Sequence, residues 1–465
     1  MLIVGSKPVK GHSVPKVIVN AQVARLKQLA SPAWAMMEYG SYPLLLFIAT
    51  PWFLHQLGTF GYGHWMLLIA AVGFGGALNA GTGAATIKTV SGGIGRAANA
   101  DIEHAVRVSL AIAILGGGAL ALAVFSVFWF AGASLLARMG HPDLIRLTGT
   151  TAAALIWLEQ IDNVFSSAMK GAEQFGHAAR IEITSKTTQV VAAAVVLWIW
   201  PNLRALYIAL LSVAILRLLA KTVIARRLLK LKSVWPTLVR ANAIMRFAKW
   251  GWLQGVGSML FGVADRMLVG SLLGASSLTY YSVATQLATQ VHAASAAGLS
   301  VIFPKISRKL ESDGHFSLWR VSKLTMAGNL LLSTLLGGIL LLFGPMILRA
   351  WIGADAAAHA AQILPWLVIA YWVLALNIVP YYVLLAMGRM RLVGISVVCS
   401  GILSVVVTYY AISRAGLIGA PLGRGVYALL ALLLILPSAG RALRAHRMKD
   451  ASRQMAPRFD QGPLP

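Results

Sequence analysis

Long apolar segments separated by short basic gaps constrain the fold of this 465-residue chain more than any other feature. A transmembrane helix needs about 20 consecutive, mostly apolar residues. Twelve stretches meet this requirement: 35–56, 63–87, 108–131, 147–168, 179–200, 204–224, 250–273, 280–303, 324–347, 362–386, 392–412 and 417–438. The pattern predicts an all-α polytopic membrane protein with about 12 transmembrane helices.

Composition excludes a soluble globular domain. The chain is 58% hydrophobic and only 12% charged, whereas soluble domains carry about 25% charged residues. A net charge of +26 would also fit a nucleic-acid-binding protein. The basic residues are, however, spread over many gaps and form no single patch with interleaved aromatic residues. We therefore expect anionic membrane lipids, and no nucleic acid, as partners of these charges.

The distribution of Lys and Arg predicts the orientation, because cytoplasmic loops retain these residues and translocated loops lose them. With the N-terminus inside, 32 of the 40 Lys and Arg residues fall in inner segments and only five in outer loops. The gap from Lys221 to Lys249 alone holds eight basic residues and no acidic residue. The sequence therefore predicts that both termini lie in the cytoplasm.

The central basic gap divides the spans into six and six, which predicts two six-helix lobes in a parallel repeat around a central cavity. Leu57-Gly58 after the first span and Leu273-Gly274 after the seventh are a faint trace of this repeat. The expected parts are a cytoplasmic basic, amphipathic N-terminal segment (1–34), an N-terminal lobe (35–224), a basic cytoplasmic linker (225–249), a C-terminal lobe (250–438) and a basic cytoplasmic tail (439–465). This plan is typical of a secondary transporter.

The motifs of the common enzyme classes are absent. The sequence contains no G-x-x-x-x-G-K-[ST] phosphate loop, no H-E-x-x-H zinc motif and no G-x-S-x-G nucleophile elbow. Its single cysteine, Cys399, excludes an internal disulfide or a cysteine cluster. We therefore predict a protein that is not an enzyme and that has no cofactor, catalytic residue or metal site.

Beyond the first turn of the predicted spans there are three acidic residues, and a charge near a span centre costs about 2.5–3.5 kcal/mol on insertion scales. Glu159 and Asp162 stand three residues apart and share one helix face. They are candidates for ion or proton coupling, together with Asp265. The alternative for the first two is a structural pair neutralised by neighbours such as Lys170 or Arg217.

Three basic residues inside the spans are not explained by orientation: Arg217, Arg266 and Arg424. Arginine suits phosphate because its planar guanidinium offers paired donors. A cavity lined by some of these residues would attract an anionic headgroup, and Lys88, Lys186 and Lys305 are candidates for the same role. A structural role for each of them is the alternative.

Five segments in order resemble polysaccharide flippases of the multidrug/oligosaccharidyl-lipid/polysaccharide exporter superfamily. They are Phe53–Ser91, "KGAEQFG" (Lys170–Gly176), "ADRMLVGSLLGASSLTYYSVATQL" (Ala264–Leu287), "IFPKIS" (Ile302–Ser307) and "LRAWIGADAAAHAAQILPWL" (Leu348–Leu367). The resemblance covers residues from about 35 to 438.

This resemblance implies a Wzx-like flippase that moves an undecaprenyl-diphosphate-linked oligosaccharide across a bacterial cytoplasmic (inner) membrane. Such a protein would work by alternating access, coupled to an ion or proton gradient, in the synthesis of lipopolysaccharide or exopolysaccharide. Its further partners would be a polysaccharide polymerase or glycosyltransferases. Two alternatives remain: a cation-coupled exporter of drugs or small amphiphilic molecules, and a non-transporting membrane scaffold of a polysaccharide assembly complex.

Overall fold

The computed structural model describes residues 16–95, 99–300, 318–387 and 389–455. Within these ranges the chain is helical and forms no β-strand. The first seven helices are α1 (Lys16–Gly73), α2 (Gly75–Gly95), α3 (Asn99–Ser126), α4 (Gly132–Leu135), α5 (Pro142–Gly171), α6 (Phe175–Ile199) and α7 (Leu203–Leu228). The following eight are α8 (Ala241–Gly262), α9 (Ala264–Leu273), α10 (Ala275–Ser300), α11 (Leu318–Ile352), α12 (Ala354–Leu376), α13 (Ile378–Ala386), α14 (Met390–Ala415) and α15 (Ala420–Met455).

The apolar segments predicted from the sequence coincide with these helices. Among the described residues, seven helical segments are long and apolar enough to cross a membrane. Two of them, Ser41–Ile94 and Arg391–Ala445, each contain two predicted spans. The three remaining predicted spans fall on α5, α6 and α10, which carry more polar residues. The structure is therefore all-helical, with the multiple apolar helices of a multi-pass membrane protein.

The two Leu-Gly pairs form similar turns. Gly58 interrupts α1 with φ 65°, and Gly274 separates α9 from α10 with φ 89°. Both values lie in the left-handed region that favours glycine. Each glycine is followed by a fully buried tyrosine, Tyr62 and Tyr281 respectively. The trace of an internal repeat in the sequence thus corresponds to a shared backbone turn.

The first and second halves of the chain meet along two helix pairs: α2 packs against α8, and α1 packs against α10. Glycine permits both close approaches. A Cβ at Gly63 would lie 2.1 Å from the carbonyl oxygen of Ala275, and one at Gly255 would lie 2.4 Å from that of Ala77. Trp252 Nε1 also donates to the carbonyl oxygen of Leu78 at 3.1 Å. Larger side chains at these glycines would force the helices apart.

The segment between α7 and α8 is fixed to the start of α3. The Arg107 guanidinium donates to the carbonyl oxygen of Trp235 at 2.7 Å, and the backbone N–H of Lys232 donates to Glu103 at 2.9 Å. The backbone N–H of Thr237 donates to the carbonyl oxygen of Arg107 at 3.2 Å. This predicted linker therefore follows a defined path along the first half of the chain.

Candidate functional site

Helices α5, α6 and α7 bring six charged side chains together, two from each helix. Each pair is spaced three or four residues apart, which places both members on one helix face. The pairs are Glu159 and Asp162 on α5, Glu182 and Lys186 on α6, and Arg217 and Lys221 on α7. Three carboxylates face three cations, so this six-charge cluster has a formal charge of zero.

Lys221 is the innermost member of the six-charge cluster. It is fully buried, and its ammonium donates to Asp162 and to Glu182, each at 2.6 Å, and to the hydroxyl of Ser166 at 2.8 Å. A lysine ammonium has three donor hydrogens. All three are used here, which leaves no donor for a ligand and gives Lys221 a structural role.

Arg217 contacts all three carboxylates at longer range. Its guanidinium nitrogens lie 3.5 Å from Asp162, 3.8 Å from Glu159 and 3.8 Å from Glu182. Its buried Nε makes no hydrogen bond to any described residue. Arg217 is therefore held mainly by charge, and its Nε donor is unused.

A cavity of about 270 Å³ opens beside the six-charge cluster. Glu159, Lys186 and Arg217 line it, together with aromatic and amide side chains that include Tyr42 and Gln189. The Lys186 ammonium lies 5.2 Å from the centre of the Tyr42 ring. Two cations and one acid thus face the cavity, so its lining has a net positive charge.

The three acids of the six-charge cluster differ in access. The Glu159 side chain is 36% exposed, against 8% for Asp162 and 12% for Glu182. Asp162 and Glu182 are both bound to Lys221, whereas the ion pair of Glu159 with Arg217 is 3.8 Å long. Glu159 is therefore the most exposed carboxylate of the cluster, and it lines the cavity.

A second buried charge cluster lies in the other half of the chain and is centred on Arg424 of α15. Its Nε donates to Asp265 of α9 at 2.5 Å and to the Tyr281 hydroxyl at 2.8 Å, and its Nη1 donates to the Tyr371 hydroxyl. The Tyr281 hydroxyl donates to the same carboxylate. The Arg424 guanidinium also lies 4.9 Å from the centre of the Phe261 ring, within cation–π range. This arrangement satisfies the Asp265–Arg424 pair within the protein.

Arg266, adjacent to Asp265, does not join this network. Its backbone N–H donates to Asp265 at 2.7 Å, while its buried Nε has no hydrogen-bond partner among the described residues. The Asp265 and Arg266 side chains thus face different surroundings, because adjacent positions on a helix point about 100° apart. Of these second-half charges, Arg266 is the one with an unused donor.

The structure separates the remaining candidate residues from these two clusters. Lys88 lies on an exposed part of α2 and does not line the cavity beside the six-charge cluster. Lys305 lies outside the described residues. No group of three or more His, Cys, Asp or Glu side chains suited to a metal ion occurs in the described ranges.

Sequence reasoning did not identify Lys221, Glu182, Tyr281 or Tyr371 as site residues. Lys221 was counted among the charges of the central basic gap, although it is four residues from Arg217 and lies on the same face of α7. That spacing was the signal available in the sequence. The two tyrosines carried no comparable signal, because their partner Arg424 is distant in sequence.

The fold is similar to that of solved membrane transporters. A multidrug resistance MATE family transporter in an inward-facing conformation matches with a TM-score of 0.69 and 14% identity, over 90% of this chain and 99% of that one. The lipid II flippase MurJ in an inward closed conformation matches with a TM-score of 0.64 and 13% identity, over 90% and 87% of the two chains. The chain therefore shares the helical fold of these two proteins.

Comparisons of the sequence indicate a narrower class of similar proteins than comparisons of the fold. Residues 117–317 match the family described as polysaccharide biosynthesis protein. A Shigella flexneri protein described as a "Putative O-antigen transporter" is 22% identical over 410 residues, which is 88% of this chain and 96% of that protein. These matches confirm the resemblance to polysaccharide flippases. The similar proteins are transporters and flippases, not enzymes, in agreement with the prediction from the sequence.

Proposed function

We propose that this chain is a flippase that moves an undecaprenyl-diphosphate-linked oligosaccharide across the bacterial cytoplasmic membrane during surface polysaccharide synthesis. Its relative in Shigella flexneri supports an oligosaccharide lipid as the substrate, and the fold shared with a lipid II flippase supports the reaction. Transport proceeds by alternating access and is coupled to an ion or proton gradient. A polysaccharide polymerase and glycosyltransferases are its functional partners.

The cavity beside the six-charge cluster carries this proposal. Its two cations, Arg217 and Lys186, suit a diphosphate, because guanidinium and ammonium groups form short, charge-assisted hydrogen bonds with phosphate oxygens. Its aromatic and amide side chains suit the adjoining sugar, to which they offer stacking surfaces and hydrogen bonds.

The proposed architecture consists of twelve crossings with both termini in the cytoplasm. Residues 35–224 and 250–438 form two six-helix lobes that face each other across a central cavity, distinct from the cavity beside the six-charge cluster, which lies within the first lobe. Residues 1–34, 225–249 and 439–465 are the cytoplasmic segments. The positions of the basic residues and the pairing of α1 with α10 and of α2 with α8 support this plan.

The role that we propose for each charged side chain follows from its exposure and from its ion-pair partners. Glu159 binds the coupling ion or proton, since it is the most accessible acid of its cluster. Asp162 and Asp265 set the charge balance around Arg217 and Arg424. Arg266 adds a second anion contact in the other lobe.

Lys88 and Lys305 are further headgroup contacts on the cytoplasmic side. Arg424 contributes to headgroup binding only when its contacts with Asp265, Tyr281 and Tyr371 break, because they otherwise occupy its Nε and Nη1 donors.

Complementation of a flippase-deletion strain tests the proposal. We expect the double variant Arg217→Gln with Lys186→Gln to reduce polysaccharide export by at least about a hundredfold, since each charge-assisted hydrogen bond contributes about 1.5–3 kcal/mol. The matched control is Arg204→Gln, an exposed position on the same helix α7. Normal export by the double variant at normal protein level would contradict the proposed headgroup site.

A cation-coupled multidrug exporter is the second candidate, because the MATE family transporter matches the fold best among the structures compared above. The net positive lining of the cavity favours anionic substrates over the cationic drugs of such an exporter. Drug susceptibility separates the two functions. An exporter would lower the sensitivity of a drug-sensitive strain to amphiphilic cations, whereas the flippase would leave it unchanged and restore surface polysaccharide.

A further inference from the structure

A second and larger cavity, of about 570 Å³, lies between α11, α13 and α15. None of its lining residues belongs to either charge cluster or lines the cavity beside the six-charge cluster. Its lining comes from the first turns of α11, from α13 and from the latter part of α15. In the proposed topology these parts lie at the cytoplasmic side of the C-terminal lobe.

Helix-breaking residues explain why these helices leave space. The tenth predicted span is divided at Asn377, and Pro380 lies in the first turn of α13. Pro437 lies inside α15, where a proline removes a backbone hydrogen bond and bends the helix. Gly440, one turn further, has no side chain, and a Cβ added there would meet no atom within 4 Å. The cavity therefore follows from the local sequence.

The chemistry of the cavity is divided between an apolar body and a basic mouth. The body is formed by side chains such as Met326, Val383 and Leu436. The charged side chains of the lining are all basic: Lys323, Arg441 and Arg444. All three are exposed, and none forms an ion pair with a described carboxylate. The Lys323 ammonium lies 4.6 Å from the centre of the Trp319 ring, at the edge of the same opening.

We propose that this cavity is a binding site for an anionic phospholipid of the inner leaflet. One acyl chain occupies the apolar body, and the phosphate contacts Lys323, Arg441 and Arg444. Basic pockets between transmembrane helices on the cytoplasmic side bind such headgroups. Three cations that form no ion pair with a carboxylate of the described residues are complementary to a lipid phosphate, and the apolar body excludes a purely polar ligand. The bound lipid would connect α11, α13 and α15 in addition to their direct contacts.

Lipid binding to the full-length protein in detergent, measured by native mass spectrometry, tests the proposal. We expect phosphatidylglycerol to bind more tightly than phosphatidylcholine. Replacing Lys323, Arg441 and Arg444 together by Gln should weaken phosphatidylglycerol binding about a hundredfold. Gly440→Leu should weaken binding of the same lipid by filling the apolar body, without changing the charge.

Two control variants separate a specific loss of the lipid site from a general effect of charge or side-chain size. The triple variant Arg226→Gln, Arg227→Gln and Lys230→Gln removes three exposed cations elsewhere, and Gly328→Leu adds the same side chain at a glycine with open space on α11. Both should retain wild-type binding.

Three results would overturn the proposal. They are equal losses in the two triple variants, undiminished lipid binding by Gly440→Leu, and displacement of the lipid by glycerol 3-phosphate alone. Because the measurement is lipid binding and not export, its failure would leave the proposed flippase function standing.

Discussion

Removal of the buried ammonium of Lys221 tests whether the six-charge cluster holds α5, α6 and α7 together. Lys221→Met keeps most of the side-chain volume and deletes the charge. Asp162 and Glu182 then lose contacts of 2.6 Å each. Breaking a buried ion pair costs about 3–5 kcal/mol, because the remaining charge stays buried without its partner.

The lower end of that range applies here. Glu182 keeps Lys186 at 3.1 Å, and Asp162 keeps Arg217 at 3.5 Å. A loss of about 3 kcal/mol lowers the melting temperature by roughly 6–12 °C, given about 2–4 °C per kcal/mol for a unit of the size of one lobe. Thermal unfolding of the purified protein in detergent, followed by size-exclusion fluorescence, measures this change.

Two further variants test whether loss of the buried ion pairs causes the lower melting temperature. Lys230→Met makes the same substitution at an exposed position, where we expect a change of at most about 0.5 kcal/mol. Adding Asp162→Asn to Lys221→Met restores equal numbers of acids and cations and should recover at least half of the lost stability. A melting temperature within 1 °C of wild type for Lys221→Met would refute a structural role for the buried pair, by the same ~2–4 °C per kcal/mol.

Three other predictions concern coupling, packing and topology. Glu159→Gln should abolish gradient-dependent export. It should change the melting temperature by less than Asp162→Asn does, because of these two acids only Asp162 is buried against Lys221. Equal losses of stability in the two variants would contradict this division of roles. Gly63→Ala should destabilise the contact of α1 with α10 by about 1–3 kcal/mol of overpacking, whereas Gly116→Ala, with open space around it, should be neutral in the same unfolding assay. After Cys399→Ser, a cysteine at the 77%-exposed position of Trp235 should react with a membrane-impermeant maleimide only in inverted vesicles; labelling in intact cells would reverse the proposed topology.

The helices were predictable from the sequence because each apolar segment carries its own signal. Residues 203–228 show this well: an apolar run bounded by Asn202, whose side chain caps α7, and by basic residues at its end. The grouping of Glu159 and Asp162 followed from helical spacing, and Arg217 was one of the neighbours considered for them.

Contacts between distant parts of the chain were not predictable in the same way. The Asp265–Arg424 pair joins residues 159 positions apart, and nothing in either local sequence specifies the other. Lys221 shows a second limit. The rule that relates basic residues to orientation counts charges and carries no information about burial, so it grouped a fully buried lysine with the exposed ones that follow it.

The attachment of the segment after α7 to α3 has a mechanical consequence. Three hydrogen bonds, at Lys232, Trp235 and Thr237, attach this segment to the first half of the chain. The segment is therefore not a free linker between the two halves. The part of this connection that follows the last of these hydrogen bonds is short and includes Arg240, whose backbone has a left-handed conformation with φ 56°. A change in the relative position of the two halves would therefore leave residues 232–237 with the first half and bend the chain between Thr237 and α8.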